Sequence, residues 1–294
     1  MYASQEELDR QFNARGTVAD VAPFLAAYRS ESAKALASLP CHRDLAYGRG
    51  ATDTLHVFPV PGVPRAPAFI FLHGGYWRLL SKDDGCFMAE TFTRAGAAVV
   101  SVDYSLAPAA TLPAIVAQVR RAVAWLWRHG EDYGVDRNRL VVAGSSAGGH
   151  LAGMVLAGGW QEAAGVPDDV VKGAFGVSGL YDLSLVPRTH VNEWLGLDTA
   201  TARAMSPLYH LPERGCPLVL AYAEAETDEF KRQSLRYGGA WAARGFPVEC
   251  FEVFGRNHFD VILDWQDPGA ALTRAALGLL HGRPPGGGGA AAVR

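Results

Sequence analysis

Short apolar runs recur along the chain and predict a sheet of eight strands. From the third run onward most positions are apolar without interruption, which is typical of strands buried on both faces of a mainly parallel sheet. The first two runs are joined by too few residues to hold a helix, so we expect them to pair antiparallel at one edge of the sheet. The predicted strands are Arg43–Tyr47, Thr54–Phe58, Ala68–Leu72, Ala97–Asp103, Leu140–Gly144, Gly173–Ser178, Pro217–Tyr222 and Val248–Phe254.

Helical patterns lie between these runs. One apolar stripe at three- and four-residue spacing is formed by Leu112, Ile115, Val116, Val119, Val123, Leu126 and Trp127. Strands that alternate with helices predict a layered α/β domain with right-handed crossovers and with helices on both faces of the sheet.

Three segments depart from this alternation. Residues 1–42 read as a helical extension that precedes the sheet. Residues 183–216, between the sixth and seventh strands, carry short helical pieces. We expect them to form a small lid or pocket wall; the alternative is an insertion that only packs against the domain. Residues 282–294 are rich in Pro, Gly and Ala and predict a flexible tail. The prediction is therefore a single domain over residues 1–281.

Composition narrows the functional classes. The chain has 294 residues, 49% of them hydrophobic and 19% charged, with a net charge of -3, so neither a basic stripe for nucleic acid nor an acidic tail is expected. No apolar run approaches the roughly 18 residues of a membrane span. The polar start, Met1–Arg10, and four cysteines without C-x-x-C spacing predict a cytoplasmic protein with reduced thiols. No motif indicates a metal or a cofactor.

Residues 144–148 read Gly-Ser-Ser-Ala-Gly, the G-x-S-x-G pattern of a nucleophile elbow. The pattern follows a strand-like run and precedes a helix-like one, which is the context that this motif requires. The sharp turn strains the nucleophile and leaves room only for small residues two positions to either side. Centring the motif on Ser145 would put Ala143 and Ala147 at the glycine positions, so the register predicts Ser146 as the nucleophile.

A serine nucleophile needs a base to take its proton and an acid to orient that base. In this kind of architecture the histidine follows the last strand. His258 lies there, whereas His281 stands at the end of the final predicted helix and is a poor competitor. We expect His73 and His150 to hold structure rather than to take part in chemistry.

The acid is expected after the seventh strand, where residues 223–230 contain four carboxylates. Thr227 is predicted to be the N-cap of the next helix, which puts Asp228 in the first helical turn. Glu226 then lies at the loop apex and can face the histidine, so we favour Glu226. Asp228 and, after the sixth strand, Asp182 remain the alternatives.

The third strand runs into His-Gly-Gly-Tyr-Trp at residues 73–77. Charge develops on a carbonyl oxygen during attack and needs preset N–H donors. The amides of Gly74 and Gly75, with that of Ala147, are predicted to form this oxyanion hole. Tyr76 and Trp77 would line the substrate pocket or pack beneath it.

Several stretches carry a family resemblance. HGGYW at 73–77 matches an H-G-G-x-W motif, DYSLAP at 103–108 is similar to a D-Y-x-L-A-P loop, and SGLYDL at 178–183 and SPLYHL at 206–211 are also familiar. The chain resembles the α/β-hydrolase superfamily over about residues 43–281 and, within it, the arylformamidase (kynurenine formamidase) branch and related esterases of the hormone-sensitive-lipase type. EFKRQS at 229–234 is the most branch-specific stretch, and FNAR at 12–15 resembles bacterial members. In that branch the acid stands three residues before the Glu-Phe pair, which is Glu226 here, where animal and fungal members have Asp.

The resemblance implies the α/β-hydrolase fold and a serine hydrolase that cleaves small carboxylic esters or amides through an acyl-enzyme, without a metal or cofactor. It favours N-formyl aryl amides, such as N-formylkynurenine, or aryl esters, and a narrow acyl pocket beside Trp77 would fit a formyl group. The alternatives are a general short-chain carboxylesterase and, more remotely, a non-catalytic binding protein. Members of this branch often oligomerise, which leaves a homodimer open.

Overall fold

An eight-stranded sheet forms the centre of the described part of the chain, which in this computed structural model is residue 2, residues 4–283 and residue 285. Its strands are β1 (His42–Ala46), β2 (Thr54–Phe58), β3 (Ala66–Leu72), β4 (Ala98–Val102), β5 (Val135–Ser145), β6 (Gly173–Val177), β7 (Leu218–Ala225) and β8 (Val248–Asn257). They lie in the order β1-β2-β4-β3-β5-β6-β7-β8. β2 is antiparallel to β1 and to β4, and the other neighbours are parallel. The predicted mainly parallel sheet with an antiparallel pair at its edge is confirmed.

Helices connect and cover these strands. They are α1 (Gln5–Gln11), α2 (Ala22–Ser38), α3 (Ala89–Arg94), α4 (Leu112–His129), α5 (Ala147–Leu156), α6 (Gln161–Ala164), α7 (Asn192–Leu195), α8 (Thr199–Ala204), α9 (Asp228–Ala243) and α10 (Ala271–Leu280). Short 3-10 turns occur at Ala14–Thr17, Lys82–Asp84, Gly130–Tyr133, Val186–Arg188, Pro207–Tyr209 and Val261–Gln266. Within the described ranges, none of the helices combines the length and the hydropathy that a membrane span requires.

The pleat of the central strands divides the interior into two cores. On β3, Ile70 and Leu72 pack with residues of α4, α5 and α9, whereas Phe69 and Phe71 pack with residues of α3 and α10 on the other face. Successive side chains of a strand point to opposite faces, so a strand that is apolar at every position needs helices on both sides. The predicted helix layers on both faces are therefore confirmed.

Helix α4 begins with residues that are typical of a helix N-terminus. Thr111 occupies its N-cap, where the hydroxyl oxygen accepts a hydrogen bond from the N–H of Ala114 at 3.4 Å, and Pro113 lies in the first turn. Both features are typical helix starts. Six of the seven residues of the predicted stripe are buried, and the seventh, Trp127, is half-buried with the guanidinium of Arg137 5.4 Å from its ring centre.

The prediction for the N-terminal segment can be compared with the structure, whereas most of the predicted C-terminal tail cannot. The segment before the sheet is helical as expected, with α1 packed against the start of α9. The predicted flexible tail, residues 282–294, lies outside the described residues except for 282, 283 and 285.

Candidate active site

The register of the sheet brings three candidate residues to one edge. Ala225 of β7 pairs with Asn257 of β8, so Glu226 and His258 leave the sheet side by side. Ser146 follows β5, which runs parallel to both. Parallel strands present their carboxyl ends at a common edge, which is where ligands bind in open α/β sheets.

The candidate nucleophile occupies a strained turn between β5 and α5. Ser146 has φ 55° and ψ -118°, a conformation that few residues other than glycine adopt. Its N–H donates to the backbone oxygen of Val177 at 2.8 Å, which ties the turn to β6. The residue is largely buried and lines a cavity of about 340 Å³.

The glycines of the G-x-S-x-G motif are required by close backbone approach. A Cβ atom on Gly144 would lie 2.2 Å from the backbone oxygen of Gly148. A Cβ atom on Gly148 would lie 1.9 Å from the backbone oxygen of Leu72, at the end of β3. The first turn of α5 therefore rests directly on two strand ends, and this contact holds Ser146 at the sheet edge.

His258 and Glu226 form a buried pair. Nδ1 of His258 lies 3.1 Å from Oε1 of Glu226, and the glutamate side chain has no exposed surface. The hydroxyl of Ser178 donates to the same carboxylate oxygen. The ring of Phe230 packs 4.5 Å from the imidazole centre. These contacts fix the ring and leave Nε2 as the nitrogen that can serve a nucleophile or a substrate.

The alternative acids have other partners. Asp228 is exposed in the first turn of α9. The carboxylate of Asp182 pairs with Arg236 and accepts a hydrogen bond from the hydroxyl of Tyr209 at 3.3 Å. Among the carboxylates that the sequence left open, Glu226 is the one that contacts His258.

The start of α9 departs from the sequence expectation in its detail. Thr227 stands at the N-cap position, but its hydroxyl donates to the backbone oxygen of Gln11 at 2.6 Å instead of capping the helix. The side-chain oxygen of Gln11 accepts from the N–H of Glu229 at 2.9 Å. A residue more than 200 positions away in the sequence therefore supplies the cap, which a local pattern cannot reveal.

Ser146 and His258 line the same cavity. Among the described residues, no hydrogen bond joins the serine hydroxyl to the imidazole. Nucleophile and base are often separated in a free enzyme and draw together when substrate binds. The candidate acid and the candidate base are thus paired with each other, and the candidate nucleophile lies on the same cavity wall as the base.

The Gly74–Gly75 loop passes close to the nucleophile. A Cβ atom on Gly74 would lie 3.0 Å from the backbone oxygen of Ser145 and 3.5 Å from Cβ of Ser146. Gly75 has φ 95°, and a Cβ atom there would lie 2.3 Å from the backbone oxygen of Leu79. In the part of the chain that the structure describes, neither glycine N–H donates to another backbone group. Ala147 opens α5, where the first N–H groups of a helix are unpaired.

The two aromatic residues after these glycines have different positions. Tyr76 lines the cavity, and its hydroxyl donates to the backbone oxygen of Phe12. Trp77 is fully buried and lies outside the cavity wall, where its Nε1–H donates to Nδ1 of His150 at 3.1 Å. The expectation that Trp77 contacts substrate is therefore corrected: its ring supports the loop from beneath, the second of the two positions that the sequence allowed.

Two further histidines hold this loop in place. Nδ1 of His73 lies 3.0 Å from the backbone oxygen of Gly74, and the ring stacks on Tyr104 at 4.1 Å. Nε2 of His150 donates to the backbone oxygen of Met205 at 2.7 Å. Burial lowers the pKa of His150 to about 4, so the ring is neutral and can accept the indole N–H. Both residues have the structural role that we expected.

Two segments outside the alternation of strands and helices line the cavity, and sequence reasoning anticipated one of them. The insertion between β6 and β7, which was expected to form a lid or pocket wall, contributes His190 and Trp194. A larger share comes from the N-terminal segment, which supplies Asn13, Ala14, Arg15, Val21, Leu25 and Tyr28. Phe24 also stacks on Phe259 at 6.0 Å, beside the candidate base. The FNAR stretch at 12–15, which the sequence analysis singled out only for its family resemblance, contributes Asn13, Ala14 and Arg15 to this wall.

Comparison with known proteins gives three findings. The BD-FAE family model matches residues 58–234. A kynurenine formamidase of Danio rerio is 33% identical over 94% of this chain and 97% of its own length, and the esterase LipQ of Mycobacterium tuberculosis is 26% identical over 83% of this chain and 63% of its own length. A solved structure from Silicibacter sp., provisionally assigned as a thioesterase, superposes with a TM-score of 0.80 and 27% identity over 91% of this chain and 98% of that one.

Proposed function

The chain belongs to the BD-FAE family, in the esterase and formamidase branch of the α/β-hydrolases, and from this premise we propose that it is a serine hydrolase that removes a small acyl group from an amide or ester. That it is a hydrolase of the ester or amide type follows from its relatives. The serine mechanism is our proposal. One observation carries it: the buried Glu226–His258 pair and the strained Ser146 line up at one sheet edge around one cavity.

The acylation step can be written with named groups. The hydroxyl of Ser146 attacks the acyl carbon while Nε2 of His258 takes its proton. Glu226 holds Nδ1–H and balances the imidazolium charge. The amides of Gly74 and Gly75, with that of Ala147, donate to the developing oxyanion. The bond to the leaving nitrogen or oxygen then breaks, and that atom takes the electron pair and the proton from His258.

The deacylation step reverses these roles. A water molecule attacks the acyl carbon of the Ser146 ester while Nε2 of His258 takes its proton. The bond between Oγ and the acyl carbon breaks, and Ser146 regains the proton from His258. The acid leaves, which for a formyl substrate is formate. No external oxidant or reductant enters either step.

We propose N-formyl aryl amides, such as N-formylkynurenine, as the preferred substrates. The relative named kynurenine formamidase supports this choice, since it matches over nearly its whole length. The cavity supports it as well, because the aromatic rings of Tyr28, Tyr76 and Trp194 line it beside Phe259 and would pack against an aryl leaving group.

A short-chain carboxylesterase without formamidase activity is the second candidate. The match to an esterase supports it. Comparison of kcat/KM for p-nitrophenyl acetate and for N-formylkynurenine separates the two candidates. A kcat/KM far higher for long acyl chains than for formyl or acetyl groups would overturn the formamidase assignment.

Active-site labelling tests the serine mechanism and its register. We expect a fluorophosphonate probe to modify Ser146, detected by peptide mass spectrometry, and we expect Ser146→Ala to lower kcat by several orders of magnitude because triad members act as a unit. The neighbouring Ser145 offers a matched control, since Ser145→Ala should leave the label at residue 146. A label on Ser145 in place of Ser146 would refute the register, and a label on neither serine would refute the serine mechanism and revive the binding-protein alternative.

Three further features remain proposals: a cytoplasmic location, a homodimer, and a single domain over residues 1–281. Cell fractionation, light scattering and the number of unfolding transitions in calorimetry would test them in turn. A membrane-bound fraction, a monomeric mass or two separate transitions would each contradict the corresponding proposal.

A further inference from the structure

Two guanidinium groups line the cavity. Arg15 belongs to the N-terminal wall, and Arg78 belongs to the loop that follows the candidate oxyanion glycines. Among the described residues, neither forms an ion pair with a carboxylate. The carboxylate that does line the cavity, Asp84, is paired with Arg29 at 3.3 Å and accepts the N–H of Ser81 at 3.0 Å. The wall therefore carries uncompensated positive charge.

The side chain of Arg78 is held by an aromatic face. Its guanidinium carbon lies 4.3 Å from the ring centre of Trp194. The indole N–H of Trp194 donates to the backbone oxygen of Tyr76 at 3.0 Å, which fixes the ring. A guanidinium stacked on a ring keeps its in-plane N–H groups free, and these match the two oxygens of a carboxylate.

The position of Arg78 relates it to the chemistry. The backbone N–H of Arg78 donates to the backbone oxygen of Gly75 at 3.0 Å. This bond closes a turn in which the Cα atoms of Gly75 and Arg78 lie within about 7 Å of each other. The guanidinium therefore extends from the same loop that would hold the acyl oxygen. Arg78 is exposed and lines the cavity whereas Ser146 is buried, so with the acyl group at Ser146 the group that would meet Arg78 is the solvent-side end of the leaving group.

We propose that Arg78, with Arg15 of the N-terminal wall, forms a subsite for a carboxylate carried by the leaving group. The substrate class is thereby narrowed to aryl formamides or esters whose leaving group is anionic. This inference rests on the proposed function, because the acyl group must lie at Ser146 for the leaving group to reach Arg78.

A matched pair of substrates tests the subsite. 3-Formamidobenzoate and formanilide share the formamide and the ring, and they differ in the carboxylate. We expect Arg78→Met, which keeps the aliphatic stem, to lower the ratio of their kcat/KM values by about tenfold or more, as for loss of a charge-assisted hydrogen bond. Arg203→Met is the control, since Arg203 stacks on Tyr209 at 4.1 Å but lies outside the cavity wall. If the ratio of kcat/KM values changes by the same small factor in Arg78→Met and in Arg203→Met, the subsite is refuted.

Binding measurements separate the subsite from the reaction. In Ser146→Ala, calorimetry should give a Kd for 3-formamidobenzoate that rises about tenfold or more when Arg78→Met is added. Without any Arg78 variant, benzoate should inhibit the wild-type enzyme more strongly than benzamide, which has the same shape and no charge. An unchanged Kd or equal inhibition contradicts the subsite. Failure of the wild type to hydrolyse either substrate would instead count against the proposed function.

Discussion

Glu226→Gln tests the assignment of the acid most directly. The substitution keeps the size of the side chain and removes the charge that would balance the imidazolium of His258. At the 3.1 Å separation of Oε1 and Nδ1, an effective dielectric of about 20 gives an attraction of about 5 kcal/mol between opposite unit charges. If that attraction forms in the transition state, its loss lowers kcat by about 10³-fold or more.

The assay compares two carboxylates in one loop. Steady-state kcat for an aryl acetate and for an N-formyl aryl amide would be measured for Glu226→Gln and for Asp228→Asn, with circular dichroism and thermal unfolding to verify the fold. Asp228 is exposed, so we expect its variant to stay within about threefold of the wild type, as is usual for surface substitutions. A larger loss in Asp228→Asn than in Glu226→Gln would refute the assignment. Near-wild-type kcat in both variants would refute the charge-balance argument itself.

The remaining predictions concern the support of the site. Gly148→Ala should destabilise the protein by about 3 kcal/mol or more in urea unfolding, because the added Cβ would lie 1.9 Å from a backbone oxygen. The control is Gly278→Ala in α10, where nothing lies within 4 Å of the added Cβ, and this variant should be more stable by about 1 kcal/mol. Equal effects of the two substitutions would contradict the elbow geometry. Burial lowers the pKa of His150 from its ordinary 6.5 to about 4, so the unfolded chain binds a proton between these pH values that the folded chain does not. Its contribution to stability is complete above pH 6.5 and decreases as the pH falls towards 4, by about 2 kcal/mol between pH 7.5 and pH 5. His150→Gln should remove that part of the pH dependence, and an unchanged slope would show that His150 is not its source.

The fold was predictable because its signals are local. Strand β3, which is apolar at every position, and strand β4, which is apolar except at Ser101, had to be buried on both faces. The short connection between β1 and β2 allowed only an antiparallel pair. Boundaries were less accurate: β5 begins at Val135, five residues before the predicted start, because its first part is polar and half-exposed and so lacks an apolar run.

The walls of the candidate site were harder to predict because they depend on contacts between distant segments. Trp77 is adjacent to Tyr76 in sequence, yet one is buried against His150 and the other faces the cavity. Nothing in the order of these residues distinguishes the two positions. The N-terminal wall also depends on contacts between distant segments, since the hydrogen bonds to the backbone oxygens of Gln11 and Phe12 come from Thr227 and Tyr76.

Backbone strain gives a physical reason why local propensity does not predict the backbone conformation at this location. Non-glycine residues with positive φ are rare, and among the described residues five of the six lie around the candidate site: Tyr76, Trp77, Leu80, Ser146 and Ser178. Each such residue costs about 1 to 3 kcal/mol and persists only where the surroundings enforce it. Here they are enforced by bonds from other elements, such as the N–H of Ser178 to the oxygen of Ala221 at 2.8 Å and the N–H of Ala107 to the oxygen of Trp77 at 2.7 Å. Local propensity opposes these conformations, so the geometry that positions the candidate nucleophile and the residue bonded to Glu226 exists only in the assembled fold.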